Sequence, residues 1–272
     1  MRTLVHLSDL HFGRVDAALL APLRTAVEAA HPDLVVVSGD LTQRARRKQF
    51  RAAAAWLETL PGPRLVVPGN HDIPLYDVVR RFVAPLSRFR RYVEEREFPY
   101  YQDEEIAAIA INTARSLTFK GGRINQAQVD EVASRFRGMP EAITRIVVSH
   151  HPFDLAEDGD SSDRVGRAQM AMQAFAGCGV DFFLSGHLHH TRAGSTARNY
   201  PIDGFAALVI QAGTATSTRG RGEPNAFNVL RIGATTLQLE TLAWSADAGS
   251  FQPYSTQAFD YVSGRGWAPR QC

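Results

Sequence analysis

Five short polar segments, SDLH at residues 8–11, SGD at 38–40, PGNHD at 68–72, SHHP at 149–152 and SGHLHH at 185–190, each follow a strand-like apolar run. This recurrence constrains the fold more than any other feature. Thr3 to Ser8, Asp33 to Ser38 and Arg64 to Val67 are rich in aliphatic and β-branched residues and read as strands; Asp16 to Ala30 and Arg47 to Leu60 carry helical apolar spacing. Strand and helix alternate, which predicts βαβ units and a parallel sheet. Strands of an open parallel sheet end at one edge, so loops distant in sequence converge in one crevice. The separations, 29 residues from His11 to Asp40 and 30 from Asp40 to Asn70, fit one such unit each.

Further along, a basic helix is predicted over Val78 to Glu95, a strand over Ile106 to Ile111, and a Gly121–Gly122 loop leading to a helix over Gln126 to Phe136. Strands at Ile143 to Ser149 and Val180 to Ser185 flank a helix from Arg167 to Phe175. After His190 the character is β-type, with strands at Ala206 to Gln211, Phe227 to Ile232 and Thr235 to Ala243, which predicts a second sheet packed on the first. Residues 1–244 read as one domain. Residues 245–272, aromatic but without a period, read as a C-terminal tail packing on the body or on a second subunit of a homo-oligomer.

The chain has 272 residues, 44% hydrophobic and 21% charged, enough for the core of one large α/β domain. A net charge of +2 gives no argument for nucleic acid or a membrane as partner, and His6, Asp9 and His11 interrupt any signal-peptide run in MRTLVHLSDLHFG. A cytoplasmic protein is expected. Cys178 and Cys272 form no CxxC pair, so a metal here must use His, Asp and Asn.

Seven of the nine histidines, His11, His71, His150, His151, His187, His189 and His190, fall in the five segments. Imidazole nitrogen with carboxylate and amide oxygen suits Mn, Fe, Co or Zn rather than Ca. Two cations about 3.5 to 4 Å apart need a bridge, and the carboxylate of Asp40 is assigned to it. Asp9 and His11, two residues apart, read as neighbours on one side of an extended strand end. His187 and His189 have the same spacing, which allows one for each ion.

In order, Asp9 with His11, Gly39 with Asp40, Gly69 to Asp72, His150, and Gly186 to His189 match the series DxH, GD, GNHD, H and GHxH. In this the chain resembles the calcineurin-like metallophosphoesterase superfamily, over residues 9 to 189. The resemblance implies a four-layer α/β/β/α sandwich of two mixed sheets flanked by helices, with two divalent transition-metal ions. It implies that Asp9, His11, Asp40 and His189 hold the first ion, and Asp40, Asn70, His150 and His187 the second. His71 then stands beside the phosphate, stabilising it or protonating the leaving oxygen. A water shared by two cations, its pKa lowered to about 7, would attack phosphorus in line.

Within the superfamily the chain looks most like the small bacterial class III phosphodiesterases, which makes a small phosphodiester the expected substrate and places a cyclic nucleotide among the candidates. It departs from the usual members at Asn112, Thr113 and Val129 to Glu131, and from the lipid A branch by having His71 where that branch has Arg. A phosphomonoesterase or protein phosphatase, or a catalytically silent metal-binding scaffold, is the alternative. Asn112, Arg115, Lys120 and Arg123 belong either to a substrate-binding loop over the metals or to an ordinary solvated loop. Thr214, Thr216, Arg219 and Arg221 are weaker candidates, and His6, His31, His151 and His190 read as structural.

Overall fold

A computed structural model describes residues 1–155, 160–218 and 222–270; Arg219, Arg221 and Cys272 lie outside them. The chain forms β1 (Arg2–Leu7), α1 (Ala17–Ala29), β2 (Leu34–Val37), α2 (Arg47–Leu57), β3 (Arg64–Val66), α3 (Val78–Val83), α4 (Ser87–Tyr92), β4 (Tyr100–Gln102) and β5 (Ile106–Ala110). There follow α5 (Gln126–Phe136), β6 (Thr144–Val148), α6 (Ala168–Gly177), β7 (Phe182–Ser185), β8 (Arg192–Ser195), β9 (Leu208–Gln211), β10 (Ala226–Ile232), β11 (Thr236–Ser245), β12 (Ser250–Val262) and β13 (Gly266–Pro269).

Two mixed sheets result, one ordered β13-β12-β11-β10-β1-β2-β3 and the other β4-β5-β6-β7-β9-β8. Alternation along each strand divides the apolar residues between two layers. From sheet one, Val5, Leu7 and Val37 pack outward against α1, α2 and Phe89 of α4. Leu4, Val36 and Leu65 face inward against Ile146, Phe182 and Leu208 of sheet two. The outer face of sheet two is covered by Val129, Val132 and Phe136 of α5 and by Met172 and Phe175 of α6. This is the α/β/β/α sandwich.

Three expectations are corrected. The strands after His190 do not form a second sheet of their own: β8 and β9 complete the central sheet, while β10 to β13 add an antiparallel meander to the N-terminal one. The five polar segments therefore come from two sheets, not one. The basic helix expected over residues 78–95 is two short helices, because Pro85 has no amide hydrogen and forces Ala84 out of the helical region, to φ −151° and ψ 62°. Residues 250–269, read as aperiodic, are the strands β12 and β13; along β12 only Phe251 and Phe259 are buried, so no period-two pattern marks it.

Candidate metal centre

The carboxyl ends of β1, β2 and β3 in one sheet, and of β6 and β7 in the other, meet at one rim of the sandwich. Parallel pairing runs on past the strands, His11 N donating to Asp40 O at 2.9 Å and Phe12 N to Leu41 O at 2.8 Å. The sheets are stitched together here by the polar residues themselves. His187 N donates to Asp9 Oδ2 at 3.0 Å, and His150 Nδ1 to Ser38 O at 2.8 Å.

Asp9, His11, Asp40, His187 and His189 all have φ between 51° and 73°. The left-handed region is costly for residues other than glycine, so this clustering marks strain maintained by the surroundings. It also overturns the picture of Asp9 and His11 on an extended strand end: they lie beyond β1 with left-handed backbone, φ 53° and 51°. Close approach requires Gly69 and Gly186 as well. A Cβ on Gly69 would lie 2.1 Å from Asp40 Oδ1, and one on Gly186 would lie 1.8 Å from Ser8 Oγ.

Two groups of donor atoms result. In the first, His189 Nε2 lies 3.1 Å and His11 Nε2 3.5 Å from Asp9 Oδ1, with the two imidazole nitrogens 3.4 Å apart. In the second, His150 Nε2 lies 3.1 Å from Asn70 Oδ1 and 3.3 Å from His187 Nδ1. Asp40 stands between them, Oδ2 at 3.7 Å from His11 Nε2 and Oδ1 at 3.5 Å from His150 Nε2. The structure thus brings together all seven residues singled out as ligands.

The donor set fits two cations. Asp9 Oδ1 is sealed from solvent without a regular hydrogen-bond donor while two imidazole nitrogens face it. His150 gives its Nδ1 hydrogen to a carbonyl, which turns the Nε2 lone pair inward. Asn70 donates Nδ2 to Phe119 O at 3.1 Å, which turns its oxygen inward. His187 Nε2 faces Asp163 Oδ1 at 3.6 Å, a carboxylate placed to hold that ring. Burial would raise Asp9 and Asp40, but the imidazoles of His11 and His189 around Asp9, and those of His150, His71 and His11 around Asp40, hold both carboxyls below the usual range.

His71 is oriented by its neighbours. Its backbone N donates to Asp40 Oδ1 at 2.8 Å and its Nδ1 lies 3.0 Å from Gln43 O. Asp72 receives Leu41 N, Thr42 N, Thr42 Oγ1 and Gly69 N, tying the SGD and GNHD loops; burial, and then the charge of Asp40, push it up to about 6. Thr214 and Thr216 donate to the carbonyls of Asp9 and Leu10 at 2.8 and 2.9 Å, holding the DxH loop from behind. Of these supports, Gln43 was not foreseen, since it acts through a backbone carbonyl that leaves no trace in residue type.

The other histidines have separate employment. His151 joins Thr113 Oγ1 at 2.9 Å and Lys120 O at 2.7 Å through its two ring nitrogens, binding the loop of residues 113–122 to the site. His6 meets Ser38 Oγ, His190 pairs with Glu223, and His31 closes α1 with φ 47°. Lys120 lines a cleft of about 600 Å³ together with His71, Asn70 and Arg44. Asn112 and Arg115 line a different cavity, where Arg115 donates to Gln128 Oε1 at 2.8 Å; Arg123 is exposed and donates its backbone N to Thr113 O.

The sequence profile of the calcineurin-like phosphoesterase family matches residues 2–191, and the chain belongs to that family. Among individual proteins it is similar to the 3',5'-cyclic adenosine monophosphate phosphodiesterase CpdA of Escherichia coli (strain K12), 22% identical over 203 residues, 68% of this chain and 69% of that one. A shorter stretch of 82 residues is 37% identical to the glycerophosphodiester phosphodiesterase GpdQ of Enterobacter lignolyticus, covering 25% of this chain and 29% of that one. Its fold is that of a dimetal phosphatase from Danio rerio, TM-score 0.66 and 12% identity, over 96% of this chain and 99% of the other. It also matches a purple acid phosphatase from yellow lupin, TM-score 0.64 and 14% identity, over 97% of this chain, which spans only 54% of the plant protein.

Proposed function

We propose that this chain is a dinuclear metal-dependent phosphodiesterase acting on small diesters, with Asp9, His11, Asp40 and His189 holding one ion and Asp40, Asn70, His150 and His187 the other. The observation that carries the reading is Asp40, whose two oxygens turn to opposite donor groups. Two bound divalent cations, manganese, iron or zinc by donor type, would supply Lewis acidity toward the phosphoryl oxygens and an activated water as nucleophile.

The chain's own residues do the rest. Arg44 and Lys120 line the cleft and favour entry of an anion. His71, whose Nδ1–H is anchored to the Gln43 carbonyl, acts as the imidazolium: it gives its second proton, at Nε2, to the leaving alkoxide and returns to the neutral ring. The preset ring needs no reorganisation as charge develops, which is where such sites gain most of their rate. No side-chain nucleophile is needed.

The diester preference draws support from the two relatives whose names specify phosphodiesters. Cyclic nucleotides are candidate substrates, and a cytoplasmic setting suits them; no described helix is long and apolar enough to cross a membrane. Manganese-loaded protein assayed with bis(p-nitrophenyl) phosphate, p-nitrophenyl phosphate and cyclic nucleotides tests the reading. Turnover of diesters ahead of the monoester is expected; turnover of the monoester alone reassigns the chain as a phosphatase.

A further inference from the structure

A cavity of about 530 Å³ opens between α4, α5 and the ends of β3 and β5, and it shares no lining residue with the cleft that holds His71. Val67, Leu86, Phe89 and Ala110 form apolar walls, and Asn112, Arg115, Asn125 and Gln128 a polar one. The exposed Arg90, Arg96 and Glu97, with Glu94, line it toward solvent. Its size and mixture of surfaces are those of a site for a small molecule.

The polar wall offers donors, because its side-chain acceptors are already engaged. Asn112 Oδ1 accepts Ala114 N and Asn125 Oδ1 accepts Gln128 N, both at 2.9 Å, which leaves each amide its NH2 end. Gln128 is used at both ends: Oε1 accepts from Asn125 N and from Arg115 Nη2, and Nε2 donates to Asn112 O at 2.6 Å. The Arg115 guanidinium has no other acceptor and no carboxylate partner among the described residues. Charge points the same way. Glu94 is closed on Arg96, its oxygens 3.0 and 2.8 Å from the guanidinium nitrogens, and Arg90 and Glu97 oppose each other in sign at the rim. Arg115 is left over, half-buried, its charged form disfavoured by burial and then by the nearby charges of Arg123 and Arg167. A guanidinium taken out of water without an acid is costly unless a ligand completes it.

We infer that this cavity binds a small organic anion of one charge, its oxyanion head on Arg115 and the NH2 groups of Asn112 and Asn125, its apolar body against Leu86 and Phe89. The guanidinium fork suits a carboxylate or the two free oxygens of a phosphate diester. One uncompensated cation sets the charge of the ligand. The site is separate from the metal centre, and its occupancy needs no metal.

NMR titration of the zinc-loaded protein with benzoate, benzenesulfonate, neutral benzamide and benzylammonium tests this. The two anions are expected to bind with Kd about 1 mM, about tenfold tighter than benzamide, and benzylammonium more weakly than benzamide. Arg115→Gln should remove the preference for the anions while keeping the affinity for benzamide. Should that variant not fold, Leu86→Trp, which fills the cavity from a half-buried position on its wall, should weaken both anions severalfold. Benzoate ahead of benzenesulfonate assigns a planar carboxylate head, and the reverse order a tetrahedral phosphate ester; both support the site. Equal affinity for anions and benzamide, or anion binding unaltered by Arg115→Gln or by Leu86→Trp, overturns the inference. Loss of anion binding when a chelator strips the zinc would give the anions to the metal centre and overturns it as well.

Discussion

Ser8 Oγ donates to Asp9 Oδ2 at 2.6 Å, and Gly186 packs against that pair so closely that its missing side chain is part of the site. Gly186→Ala should therefore destabilise the fold by about 1–3 kcal/mol in chemical denaturation and weaken the ion held by Asp9 and His189, read by metal analysis after dialysis. His71→Ala should leave both ions in place and cost about 100-fold or more in rate, with the greater loss for poor leaving groups; leaving-group dependence of kcat measures this, and an equal loss across leaving groups rules out proton donation at Nε2. The ligand candidates were legible because the chemistry demands particular residue types at each loop. Gln43 and Thr42 were not: they act through the backbone or through the Asp72 hinge, where residue type says little. Nor was the left-handed backbone of Asp9 and His11 visible, since Asp and His enter it without a sequence signature.

At the level of elements, β1 carries a histidine into the layer between the sheets. His6 is fully buried, bonded to Ser38 Oγ, and burial depresses it to about 3 despite the charge of Asp9. The folded chain resists the proton that the unfolded chain takes up near 6.5, so stability is complete above that pH and falls progressively as pH drops toward 3. By pH 5 the loss from this group should be about 2 kcal/mol. Denaturation midpoints at pH 7.5 and 5 should thus differ less for His6→Leu than for the unmodified protein. Helix α5 was read near its observed bounds from the Gly121–Gly122 loop before it; its start is set by a reciprocal cap that the reading did not use, Gln128 N donating to Asn125 Oδ1 and Asn125 N to Gln128 Oε1. The edge strands β4 and β8 escaped notice because their sequences, YYQ and RAGS, hold no run of aliphatic or β-branched residues such as marks the equally short β2, β3, β7 and β9.

Across the whole molecule, the two sheets are held at the end away from the centre by Trp267 of β13. It packs on Phe182 with ring centres 4.8 Å apart, and its Nε1 donates to Asp181 Oδ1 at 2.8 Å; burial raises that carboxyl against this bond and Arg145. Trp267→Ala should cost about 3–5 kcal/mol in urea denaturation, and Trp267→Phe less, from the lost N–H and the void left by the smaller ring. Sequence showed the layers but not which strands share a sheet, since the pairing of β1 with β10 joins residues more than two hundred positions apart and depends on tertiary packing. The loops nonetheless converge, because parallel strands in both sheets end at the same rim. The most direct test is electron paramagnetic resonance of the manganese-loaded protein. Two ions per chain with an exchange-coupled signal, absent in Asp40→Ala, are expected from a shared carboxylate; a single uncoupled six-line signal at saturating manganese would contradict a dinuclear centre.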